Sequence, residues 1–200
     1  MSQTLRVFIS ATTSDLGACR EATAAVLRKA QIFPIIQEEL PASSDELKDV
    51  LMGTIASCDA VICLVGKVFG AKPADQPWPS HSYTQLEYFT ARELGKPTFI
   101  FITHDSFLQP KQIEEPEKWK TAQDDQRCRL LSAHKCEWFN SVEDLRLQVA
   151  QLVRSLFDLV VQPVYYLHPP ERPAFFVGRR FEFQQLDKVV PVVWTAFRRF

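Results

Sequence analysis

Apolar, β-branched runs alternate with helically spaced stretches along residues 5–157. LRVFIS at 5–10 reads as a first strand. Residues 14–31 then carry Leu16, Cys19, Thr23, Val26, Leu27 and Ala30 at the spacing of one helical face. IFPIIQ at 32–37 reads as a second strand, and its Pro34 predicts an edge position because proline cannot donate to a ladder. Ser43 and Glu46 form a capping-box pattern ahead of Leu47, Val50, Leu51 and Ile55, a second amphipathic helix. DAVICLVG at 59–66 is a near-continuous apolar strand of the kind covered on both faces. Residues 67–81, with Pro73, Pro77 and Pro79, read as a loop. Ser82 and Gln85 repeat the capping pattern and open a third helix, which stops at Gly95.

TFIFIT at 98–103 is a fourth strand, followed by a helix near 124–134 and a short strand at 136–139. Ser141 and Asp144 open a last helix with Leu145, Val149, Leu152, Val153 and Leu156 along one face. Repeated β-α units of this kind predict an α/β domain at 1–157, a five-stranded parallel sheet flanked by helices in three layers. The ligand crevice of such a sheet lies at the carboxyl ends of its strands. Beyond it, 158–175 reads as a proline-rich linker with Tyr165, Tyr166 and His168, and 176–200 begins something helical.

Composition narrows the class. With 46% hydrophobic and 24% charged residues and a formal charge of −1, the chain is an ordinary globular protein without a field for nucleic acid or anionic lipid. No apolar run approaches the roughly 18–20 residues of a membrane span. Cys19, Cys58, Cys63, Cys128 and Cys136 are odd in number and form no CxxC, which predicts buried reduced thiols and a cytoplasmic setting. The histidines at 81, 104, 134 and 168 are too dispersed for a metal site.

Three segments are candidates for chemistry. If Ser82 caps the third helix, Glu87 falls in its second turn, near the carboxyl edge of the sheet; it either reaches into the crevice or is a solvated acid favoured by the helix dipole. Ser10, Thr12, Thr13 and Ser14 surround the start of the first helix, where backbone N–H groups bind an anion or a single hydroxyl simply caps. Gly66 and Gly70 bend the chain out of the third strand. Phe69 between them either stacks on a base or packs in the core. Arg20 reads as an ion-pair partner of Glu38 or Glu39 rather than a substrate clamp.

The run RVFISATTSDL, then Cys58 ahead of DAVICLVG, then VGKVFG and SYTQLEY, resembles the TIR-like domain of unknown function found N-terminal to STAND signalling ATPases of the NACHT and NB-ARC type. The resemblance covers about residues 4–157, and it implies a TIR- or flavodoxin-like sheet. The first strand, ending FIS, also resembles the opening strand of TIR domains. In TIR domains with NAD glycohydrolase activity a serine and an aromatic residue precede the catalytic glutamate, and Ser82, Tyr83 and Glu87 match those positions. Tyr83 stands where tryptophan is commoner, and Thr84 where cysteine often is. The resemblance implies NAD as a possible substrate and no cofactor. A carboxylate is chemically suited to that task, because cleaving the nicotinamide–ribose bond builds oxocarbenium-like charge on the ribose.

FVGRR at 176–180, with Glu182 and Leu186, resembles the lead-in to a STAND ATPase module, so 176–200 reads as its truncated start. The chain contains no G-x-x-x-x-G-K-[ST] loop, and no ATP hydrolysis is expected of it. Three functions are open: a signalling effector that cleaves NAD, a non-catalytic module that self-associates, and a nucleoside deoxyribosyltransferase-like enzyme using Glu87 as nucleophile.

Overall fold

The computed structural model describes residues 4–36, 44–74, 81–108 and 113–160. All of them fall within the unit Met1–Gln162. In chain order the elements are β1 (Arg6–Ala11), α1 (Thr13–Lys29), β2 (Phe33–Ile35), α2 (Ser44–Ala56) and β3 (Ala60–Val65). They continue with α3 (Tyr83–Glu93), β4 (Thr98–Thr103), α4 (Glu117–Ala133), β5 (Cys136–Phe139) and α5 (Val142–Val160). The strands form one parallel sheet in the order β2-β1-β3-β4-β5, the flavodoxin-like arrangement of a three-layer α/β fold.

Period-two alternation sends side chains of one strand to both layers. Val7 and Ile9 of β1, Ile62 and Leu64 of β3, and Phe101 of β4 pack with Leu16, Leu27, Leu145, Val149 and Leu156 of α1 and α5. Phe8, Val61, Cys63, Ile100 and Ile102 go the other way, onto Leu47, Leu51, Ile55, Ala91 and Leu130 of α2, α3 and α4. This two-sided burial explains why β3 reads as an unbroken apolar run. Pro34 pairs with Val7 on β2, which is an edge strand as its proline predicts.

Helix α4 departs from expectation. It begins at Glu117, seven residues ahead of the expected start, and buries Gln123, Gln126 and Arg127 beside Leu130. A helix that buries polar groups shows no apolar stripe in sequence, so its extent is hidden there. Arg127 accounts for the burial: Nη2 donates to the Thr103 carbonyl (2.9 Å) and Nη1 to Thr103 Oγ1 (3.1 Å) and the Gly66 carbonyl (3.2 Å). These bonds fasten α4 to the carboxyl ends of β3 and β4.

The five cysteines are free thiols. Cys19, Cys58 and Cys63 are buried as expected, but Cys128 is exposed on α4. Among the described residues no helix is long and apolar enough to cross a membrane. Gln37, Glu38, Glu39 and Ser43 lie outside the described residues. So do 161–200, and with them most of the expected linker and all of the expected ATPase-like stub.

Candidate functional site

The chain leaves β1 toward β2 on one side while β3 lies on the other, so the sheet has its switch point between β1 and β3. A cleft of about 360 Å³ opens there, toward the low end of ligand-pocket sizes. Three segments wall it. Thr12, Thr13 and Ser14 come from the start of α1 and Arg20 from its middle, Phe69 and Ala71 from the loop after β3, and Tyr83, Thr84 and Glu87 from α3.

Glu87 owes its place to local rules. The Ser82 hydroxyl accepts from Gln85 N (3.3 Å), and the Gln85 side chain accepts from Ser82 N (3.2 Å), a complete capping box. The Tyr83 amide donates to the Ala71 carbonyl (3.0 Å), tying the first turn of α3 to the loop. One turn further on, Glu87 is 5% exposed and meets β1, where Ser10 Oγ donates to its Oε2. Burial pushes its carboxyl up to about 7, against the opposing Ser10 bond and the Arg20 charge. A carboxyl poised near neutrality inside a cleft is suited to acid–base or charge-stabilising work.

The neighbouring residues have other tasks. Arg20 Nη1 donates to Thr13 Oγ1 (3.0 Å), so the guanidinium lies along the cleft wall; Glu38 and Glu39, its expected partners, lie outside the described residues. Phe69 is fully buried with its ring centroid 5.8 Å from that of Trp119, and it still contributes to the wall. The Phe69 and Gly70 amides donate to the two carboxylate oxygens of Glu115 (2.9 and 3.0 Å). Gly70 has φ +79°, and a Cβ there would meet Thr12 Cγ2 at 2.7 Å, so glycine is required on both counts.

Asp15, in the first turn of α1, is 2% exposed. Burial pushes its carboxyl up to about 6; nearby amides of Val68, Asp15 and Leu16 oppose the rise and Glu115 adds to it. None of those amides closes a well-formed hydrogen bond, and neither carboxyl oxygen has a hydrogen-bond partner among the described residues.

Glu87, Thr12, Thr13, Phe69 and Tyr83 therefore share one cleft, with Ser10 directly behind the carboxylate. Gly66 and Ser82 do not line it. The Gly66 carbonyl accepts from Gln123 and Arg127, and a Cβ there would lie 2.1 Å from Asp15 Oδ2. Ser82 is occupied with capping. Sequence reading had no means of finding the burial of Asp15 or the role of Gln123, since both depend on contacts across the sheet.

Among solved structures, the chain is similar to a diflavin flavoprotein A3 from Nostoc sp. at 11% identity and a TM-score of 0.42, over 80% of this chain and 97% of that one. No curated protein matches the chain in sequence. The model of a domain of unknown function, DUF4062, matches residues 6–154. That stretch holds the whole of the cleft just described, and the chain belongs to the DUF4062 family.

Proposed function

We propose that this domain cleaves the nicotinamide–ribose bond of NAD, with Glu87 as the catalytic carboxylate. The observation that carries the reading is a glutamate that is almost fully buried yet walls an open cleft at the switch point. In its ionised form Glu87 stabilises the positive charge that develops on the ribose as the C–N bond breaks. Nicotinamide leaves as a neutral molecule with the bonding electron pair, and water adds to the ribose carbon, releasing one proton. Ser10 keeps the carboxylate aimed, while Arg20 and the start of α1 offer donors for the phosphates.

The resemblance of the motifs adds a context. The domain is the effector part of a STAND-type signalling or defence protein, and it self-associates when its sensor clusters it. A base-exchange reaction of the deoxyribosyltransferase kind would use the same carboxylate as nucleophile, and its products distinguish it. No side chain of the described residues fills the cleft, which favours either enzyme over a purely structural module.

The test is an incubation of NAD with concentrated wild-type and Glu87→Gln protein, followed by product chromatography. Wild type is expected to release nicotinamide and an ADP-ribose product, and the variant at least about 100-fold less. Transfer of the ribosyl group to an added base would favour exchange. No turnover by wild type, even when fused to an oligomerising helix, overturns the reading.

A further inference from the structure

Behind the Ser10–Glu87 bond lies a second cavity of about 20 Å³, walled by Ser10, Thr12, Gly66, Thr84, Gln123 and Gln126 among others. Thr12 and Thr84 belong to the walls of both spaces, so the two adjoin. Leu64, Val65 and Leu130 complete a mixed lining, and a space of this size holds one water molecule where two or more polar groups meet it.

Two groups in the wall call for such a molecule. Gln123 is 4% exposed, and its Nε2 donates to the Gly66 carbonyl (2.8 Å). That bond fixes the orientation of the carboxamide, because reversing it would set two acceptors against each other. Its Oε1 is then shielded from solvent with no hydrogen-bond partner among the described residues. An acceptor left unsatisfied in this way keeps the whole cost of its desolvation. Ser10 gives its single proton to Glu87, which leaves the lone pairs of Oγ able to accept. A water has two protons, one for each acceptor.

We infer that this cavity is a water site and that Gln123 is a positioning residue for the Ser10–Glu87 pair, acting through the bound water. The chain of bonds runs from water to Gln123 Oε1 on one side, and from water to Ser10 to Glu87 on the other. A hydroxyl that accepts a hydrogen bond donates more strongly in turn, so the water favours the ionised form of Glu87. The other groups facing Glu87 are Arg20 from α1, which favours the same form, and the Cys63 thiol of β3, which burial keeps protonated. The water and its coupling to Ser10 do not depend on the reaction; only their consequence for turnover rests on the NAD-cleaving reading.

The experiment follows the Glu87 carboxyl by carbon-13 NMR titration in the full chain, for wild type, Gln123→Met, Ser10→Ala and the double variant. Methionine preserves volume and removes the acceptor. Each single change is expected to raise the Glu87 midpoint by about half a pH unit or more, and the double variant no further than Ser10→Ala alone. A Gln123 that merely holds Gly66 would leave the midpoint unmoved or act additively with Ser10→Ala, and either result overturns the proposal. If Gln123→Met does not fold, a high-resolution crystal structure of wild type decides instead. A water within hydrogen-bond distance of both Gln123 Oε1 and Ser10 Oγ upholds it, and none there overturns it. Coupling without NAD cleavage would remove the functional reading and leave the water site intact.

Discussion

Glu87 and Asp15 are both buried acids at the carboxyl edge of the sheet, and they differ in what surrounds them. Glu87 has the Ser10 hydroxyl and the field of Arg20 to support its charge; Asp15 has no closed hydrogen bond and a second carboxylate, Glu115, nearby. A carboxyl whose folded pKa lies above its unfolded value holds its proton more tightly in the native state, so its contribution to stability is greatest below the unfolded pKa and is lost as pH rises through the folded one. For Asp15 that window runs from 3.8 to about 6. Asp15→Asn is therefore expected to stabilise the domain by about 1–3 kcal/mol at pH 8 and by almost nothing at pH 4. Urea unfolding at the two pH values checks it, and an equal effect at both would mean that the Asp15 proton is not involved.

The described part of the loop that follows β3, residues 66–74, has no regular structure, and contacts from other elements hold it. Glu115 closes one end through the amides of Phe69 and Gly70, and the Ala71 carbonyl joins it to α3. Hydrogen bonds to a charged acceptor are each worth roughly 1.5–3 kcal/mol. Glu115→Ala removes two such bonds from a half-buried site and is expected to cost about 3 kcal/mol, and to speed exchange of the Phe69 and Gly70 amide protons, read by hydrogen exchange. Ser82→Ala removes the cap of α3, with an expected loss of about 0.5–2 kcal/mol in denaturant unfolding. Because that cap fixes where Glu87 falls, Ser82→Ala tests whether the serine matters beyond stability. A variant of normal Tm with a large fall in kcat would give it a second role.

At the scale of the whole molecule, the placement of one acid near neutrality predicts how activity follows pH. Charge stabilisation requires ionised Glu87, so kcat/KM should rise as pH passes about 7 and level off above it. Loss of the Ser10 donor would move that limb upward, since its hydrogen bond lowers the Glu87 pKa. A rate profile that falls across the same interval would show instead that the protonated acid works, as a proton donor to a leaving base.

The order and type of the elements are written locally. The apolar runs at β1 and β3, the Ser82–Gln85 cap and the proline of β2 each act over a few residues, and each is realised in the structure. Helix α4 escaped that reading at its N-terminal end because its buried face is glutamine and arginine, which satisfy carbonyls of strands far off in sequence. The site divides the same way. Spacing brought Glu87 to the second turn of α3, but not to a buried position: that depends on Ser10, 77 residues away. Whether a carboxylate is solvated or desolvated is decided by what packs around it. Only the packed sheet sets β1 against α3, encloses Asp15 beneath Gly66, and brings Gln123 and Ser10 into the wall of one small cavity.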